Sequence, residues 1–252
     1  MINWREKIIA TGVHFAVTLL LAGIAAALIF LVWFPSPFQT MIGGTELFML
    51  VVGCDLALGP LMSLVIYNSR KSRRELVIDY TIVGVLQIAA LVYGVFIVAG
   101  TRPTYVVFNT DRYEVVTARD IDEKELAAAR DPQYRRLPWT GPRLIAVDVP
   151  AADQQDAMFQ SLSGNEEHQR PRFYVPLESK VDAIRAKAKP LKALEDRKPA
   201  SKPLLDAAVA DLGLPADQLG WLPVRHRKGF WTALINKDNG EPVAWVDFDP
   251  YD

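Results

Sequence analysis

The chain has 252 residues, half of them hydrophobic, and a formal net charge of −1 from 28 basic and 29 acidic side chains. Neither residues 1–100 nor residues 101–252 have the basic excess that a nucleic-acid surface needs. The single cysteine, Cys54, excludes an intrachain disulfide framework and a cysteine-based metal site.

The charge is unevenly spread. Only Arg5, Lys7, Arg70, Lys71, Arg73, Arg74 and Glu6, Glu46, Asp55, Glu75, Asp79 fall within residues 1–100. A spanning helix needs about 20 mostly apolar residues. Three windows meet that need: Val13–Phe34, Leu47–Tyr67 and Tyr80–Ala99. The first has a short basic start, but its apolar run is too long for a signal peptide. No small-x-small cleavage pattern follows, so it reads as an uncleaved anchor.

Lys and Arg set the orientation. Arg5 and Lys7 precede the first window, loop 35–46 has no basic residue, and "NSRKSRRE" has four. The N-terminus and loop 68–79 are therefore expected on the cytoplasmic side, and everything after residue 100 on the far side. Trp33, Phe34 and Phe38 fit an aromatic belt at the outer interface, with Pro35 and Pro37 ending the first helix. The small residues of "GIAAA", Gly23–Ala27, suit close helix approach.

The second window contains one carboxylate, Asp55, about 12 Å below its outer edge at 1.5 Å per residue. An unpaired charge there costs at least ~2.5 kcal/mol, and no Lys or Arg lies in any window. Asp55 is read as protonated, or held by the Tyr93 hydroxyl or a wet cavity. It serves either as a polar clamp between the second and third helices or as a contact for another membrane helix or an ion. Gly59-Pro60 removes one helical hydrogen bond just below it and is expected to kink the helix. Gln87 sits deeper, and His14 at the inner end of the first helix.

Residues 101–252 have an ordinary soluble composition, and about 150 residues suffice for a separate core. Thr104–Asn109 and Arg112–Thr117 flank a turn and predict a hairpin. "DIDEKELAAARD" predicts a helix capped by Asp120. "GPRLIAVDVP" predicts a strand, "AADQQDAMFQSLS" a helix and "RPRFYVPL" an extended run. Lys180–Glu195 has helical spacing broken by Pro190. "PLLDAAVADLGL" predicts an amphipathic helix ended by Gly213. "WLPVRHR", "GFWTALINKD" and "EPVAWVDFD" predict a closing antiparallel meander with a core of Trp231, Leu234, Val243, Trp245 and Val246. The fold class is a membrane α+β protein: a three-helix membrane domain over 1–100, then an α+β domain over 101–252.

Catalytic and cofactor signatures are missing: there is no HExxH, GxSxG, Walker or GxGxxG pattern. His168, in "SGNEEHQRPR", and His226, in "VRHRKG", read as solvated. "NEEH" lacks the spacing of a metal site, and "FDPYD" reads as a solvated acidic tail.

The order "VWFPSPF", a "GG" loop, "GCDLALGPLMSLVIYN", a basic loop, "QIAALVYG", then "RPTYVVFNTDRYEVV" resembles the TfpX/TfpZ (FimB-like) family of type IV pilin accessory proteins. The final "ALINKDNGEPVAWVDFDP" is similar to that family's closing β segment. The matched positions are Pro35, Pro37, Phe38, Asp55, Gly59, Pro60, Arg102, Pro103, Tyr105, Phe108, Asp111 and Arg112. The resemblance implies a non-catalytic chaperone or assembly factor in the inner membrane of Gram-negative bacteria, with a periplasmic domain. Its partners would be the cognate type IV pilin, membrane lipid and other pilus-assembly proteins of that membrane. Asp55, Gly59, Pro60, Tyr93, Arg102, Tyr105, Asp111 and Arg112 are the candidate partner contacts.

Two other readings compete. A sensor would need cytoplasmic output through the short "NSRKSRRE" loop. An interfacial enzyme would need Arg102, Asp111, Arg112 and Glu114 to converge in one pocket.

Overall fold

The computed structural model describes residues 4–68 and 71–251. It divides into two compact units, Met1–Thr101 and Arg102–Asp252.

In the first unit, α1 (Trp4–Ala27) runs into a π-helical turn, Leu28–Trp33. A short α2 (Phe38–Met41) leads to α3 (Gly44–Ile66) and α4 (Arg73–Thr101). All three long helices are long and apolar enough to cross a membrane. α1 and α4 begin nine and seven residues before the apolar windows, since charged residues extend a helix into the polar interface at no cost to its backbone bonds. A capping box starts α4: the Glu75 N–H donates to Ser72 Oγ, and the Ser72 N–H donates to the Glu75 carboxylate.

At the end of α1, Pro35 cannot continue the helix. The chain widens instead, and the Phe34 N–H donates to the Ile29 carbonyl at 2.7 Å. The expected aromatic belt is not formed by Trp33, Phe34 and Phe38, which are all buried. Phe34 lies on Gly44, where a Cβ would come within 2.6 Å of the ring. Packing within the protein thus takes these rings away from the interface. The small-residue contact of α1 is also shifted. Ala22, Ala25 and Ile29 are buried, while Gly23 faces outward. Elsewhere Val51 of α3 seats against Gly94 of α4. α3 continues as one helix through Pro60.

The second unit is built on a mixed sheet. β1 (Pro103–Asn109) and β2 (Arg112–Thr117) form the expected hairpin, with Thr110 in the left-handed region at φ 59°. β3 (Arg143–Val147) lies parallel to β1, and β4 (Tyr174–Pro176) antiparallel to β3. The C-terminal meander is present: β6 (Leu219–His226), β7 (Gly229–Asn236) and β8 (Pro242–Val246) pair antiparallel. It does not stand alone, because β6 joins β2 in parallel. The order is β4-β3-β1-β2-β6-β7-β8, and a two-residue β5 (Lys189–Pro190) also bonds β6.

The helices are short: α5 (Glu123–Ala127), α6 (Gln154–Leu162), α7 (Val181–Lys187), α8 (Leu191–Arg197) and α9 (Lys202–Leu212). Asp122, not Asp120, caps α5, accepting from the Lys124 N–H at 2.8 Å. Asp120 instead closes the preceding turn onto the N–H and hydroxyl of Thr117. Of "RPRFYVPL", Pro171–Phe173 is a 3-10 turn and only β4 is extended. Pro190 separates α7 from α8, and Gly213 ends α9 at φ 62°.

Two apolar clusters fill this unit. One gathers Tyr105, Val107, Val116, Tyr134, Ile145 and Tyr174. The other gathers Leu191, Leu194, Leu205, Leu219, Trp221 and Leu234. Of the expected meander core, Trp231, Leu234 and Val246 are buried, while Val243 and Trp245 are half-buried. The C-terminal "FDPYD" is not wholly a solvated tail. Phe248 packs on the second cluster, and Arg197 donates to the Pro250 carbonyl at 2.9 Å.

Candidate functional site in the helix bundle

Polar side chains on three apolar helices meet along one seam. His14 of α1 and Gln87 of α4 join at 2.6 Å, Nε2 to Oε1. With the amide oxygen as acceptor, His14 donates from Nε2, so the neutral ring keeps Nδ1 as an acceptor. That Nδ1 and Gln87 Nε2 are buried with no hydrogen-bond partner among the described residues. Thr18, one turn along α1, returns its hydroxyl to the His14 carbonyl at 3.0 Å. Nearer the C-terminal end of α3, Ser63 Oγ and the Tyr80 hydroxyl lie 2.7 Å apart and join α3 to α4.

Gly59 makes this seam possible. A Cβ there would lie 2.5 Å from Gln87 Nε2 and 3.4 Å from Thr18 Oγ1. The bare backbone of α3 thus provides the seat for the Gln87 amide. Pro60 follows it within the helix.

Asp55 lies above this seam, half-exposed. It borders a cavity of about 100 Å³ together with His14, Thr18, Ala22, Val52 and Gln87. On its other side it borders an open groove between α3 and α4, with Leu50, Val51, Cys54, Tyr93 and Gly94. The Tyr93 hydroxyl does not hold Asp55. Tyr93 is 67% exposed, and no hydrogen bond or ion pair reaches Asp55 among the described residues. The clamp between helices is made instead by His14–Gln87 and Ser63–Tyr80. Sequence reasoning missed that cluster because it started the first span at Val13. The helix starts at Trp4, so His14 is ten residues along, about 15 Å at 1.5 Å per residue. His14 and Gln87 are rare strong polar side chains in their helices, and such residues tend to find one another inside a bundle. That was the usable signal.

The candidates in the second unit do not converge. Arg102, just before β1, donates to the Pro138 carbonyl at 3.5 Å. Asp111 and Arg112 pair at 2.9 Å at the hairpin tip. The length of β1, about 20 Å at 3.3 Å per residue, separates them from Arg102. Tyr105 is a wholly buried core residue, its hydroxyl 3.4 Å from the Arg136 carbonyl. Glu114 is buried against Arg225. The pocket that the enzyme reading required of Arg102, Asp111, Arg112 and Glu114 is therefore not assembled. His168 is buried rather than solvated, and His226 is half-buried.

A family model described as "Fimbrial assembly protein FimB" matches residues 2–43. Two relatives from Dichelobacter nodosus, the fimbrial assembly proteins of serogroup I and serogroup E1, are 32% and 31% identical over 247 residues. Each alignment covers 96% of this chain and 95% of the relative. The fimbrial assembly protein of serogroups C1 and C2 from the same organism is 36% identical over 119 residues, 47% of this chain and 91% of that protein. No solved structure matches.

Proposed function

This chain belongs to the FimB family of fimbrial assembly proteins, and from that premise we propose that it is a type IV pilin accessory protein. It acts in pilus biogenesis as a non-catalytic chaperone or assembly factor of the inner membrane. It stabilises its cognate pilin subunit until the subunit enters the pilus. The N-terminus is cytoplasmic, following Arg5, Lys7 and the basic loop, and the second unit is periplasmic.

One observation carries the reading: an open apolar groove between α3 and α4 with Asp55 and Tyr93 on its walls. Only about a fifth of the apolar windows of the spanning helices is buried within the protein, so ample helix surface faces outward. A partner helix laid in the groove gains van der Waals contact with Leu50, Leu47 and Ile97. It also brings polar groups within reach of a carboxylate that has no hydrogen-bond or ion-pair partner among the described residues. Membrane helices associate through this combination of close packing and a few polar contacts. The periplasmic unit meets the head of the same subunit, and β8, at the edge of the sheet, offers a strand for pairing.

The test is photocrosslinking in living cells from Tyr93 and Leu58, both well exposed on their helices. A covalent adduct with the major pilin at Tyr93 is expected. Normal expression with no pilin adduct from either site or its neighbours would overturn the groove as the docking face.

A further inference from the structure

Three chemically matched side chains meet in the second unit. Glu114 comes from β2, and Glu166 and His168 from the turn that contains Glu167–Gln169. One ligand atom from each lies within 4.8 Å of the others. The guanidinium of Arg225 sits between the two carboxylates, with Nε 2.6 Å from Glu114 and Nη2 2.6 Å from Glu166. Asp120, His226 and Arg227 also line this pocket, which measures about 260 Å³.

An arginine fork between two carboxylates is a complete arrangement in itself. It leaves His168 unexplained. This side chain is more than nine-tenths buried, and its Nδ1 has no hydrogen-bond partner among the described residues. Nδ1 points at Glu166 from 3.6 Å, too far for a hydrogen bond. That spacing does suit two ligands of one ion. Tetrahedral bonds of about 2.0–2.1 Å put neighbouring ligand atoms about 3.4 Å apart.

We propose that Glu114, Glu166 and His168 form a binding site for a divalent transition-metal ion of the Zn²⁺ type, which takes the place between the carboxylates held here by Arg225. Two carboxylates and one imidazole are a normal zinc donor set, with solvent as the fourth ligand. The arginine is one-third exposed and can swing outward. Its departure lets Glu114 close on the ion. The bound ion would staple β2 to a turn some fifty residues later, in a unit that has no cysteine with which to do so.

The test uses the full chain in detergent micelles, stripped with EDTA and titrated with zinc chloride by calorimetry. One Zn²⁺ per chain is expected, with a rise in melting temperature. Glu166→Gln and His168→Gln should each weaken binding at least tenfold, and Arg225→Gln should tighten it by removing the competing cation. Absence of binding, or unchanged affinity in both ligand variants, overturns the proposal. X-ray absorption of the zinc-loaded wild-type chain decides independently of how the variants fold. A nitrogen and oxygen shell with imidazole scattering supports the site, and a sulfur ligand, which would place the ion on Cys54, overturns it.

Discussion

His14 Nε2 lies 2.6 Å from Gln87 Oε1, a hydrogen bond across two apolar helices 73 residues apart in the chain. Interhelical hydrogen bonds of this kind contribute about 0.6 kcal/mol on average and up to about 1.7. A double-mutant cycle with His14→Phe and Gln87→Leu, read by detergent-driven unfolding, should give a coupling in that range. A coupling near zero would show that the pair is geometric only.

Gly59 and Gly94 should respond differently to alanine. At Gly59 the new Cβ meets the end of a flexible amide, so Gln87 can swing away. The fold then loses about 1 kcal/mol or less, and the His14–Gln87 coupling vanishes. At Gly94 the Cβ meets Val51, a β-branched side chain with little rotamer freedom. Gly94→Ala should cost about 1–3 kcal/mol. The same unfolding assay ranks the two, and the reverse order would contradict the packing described.

Asp55→Asn separates function from stability. No intramolecular partner is lost among the described residues, so the unfolding midpoint should stay put. Pilin crosslinking at Tyr93 and cellular pilin levels should fall if a charged contact is used. Unchanged pilin levels and piliation would remove Asp55 from the docking chemistry.

Glu125 is buried and holds Arg172 through two bonds of 2.6 and 2.8 Å, with Arg170 Nε at 3.6 Å. Arg170 is itself almost wholly enclosed and lies over the Phe173 ring. Arg170 keeps Asp156 at 2.9 Å and Arg172 is one-third exposed, so the loss is that of the hydrogen bonds to a buried carboxylate, about 1–3 kcal/mol. Glu125→Ala should therefore shift urea unfolding strongly. Asp196→Asn, at an exposed helix-surface pair with Lys192, should do almost nothing.

Two buried groups in the second unit make opposite demands on pH. Burial lifts Glu114 to about 7, so the unfolded chain releases that proton first and stability falls as pH rises from about 4.5 to 7. Burial lowers His168 to about 4, so the unfolded chain holds that proton longer and stability rises from about pH 4 to 6.5. The two slopes oppose each other across their shared window. In EDTA, Glu114→Gln should melt at higher temperature as pH rises through that window, and His168→Gln at lower temperature. Parallel slopes in the two variants would refute the assignment.

Much of the architecture was legible from residue order. Three apolar runs of membrane length, the hairpin around Thr110-Asp111 and the meander around "KDNGE" are local patterns, set by composition, period and turn chemistry within a few residues. Tertiary structure alone decided what distant segments did to one another. It joined β2 to β6 in parallel, seated Val51 on Gly94, seated Gln87 on Gly59 beside His14, and brought Glu114 to Glu166 and His168. Each of these depends on two segments distant in sequence sharing one small volume. A lone polar residue in an apolar run announces that it needs a partner, but only packing determines which one.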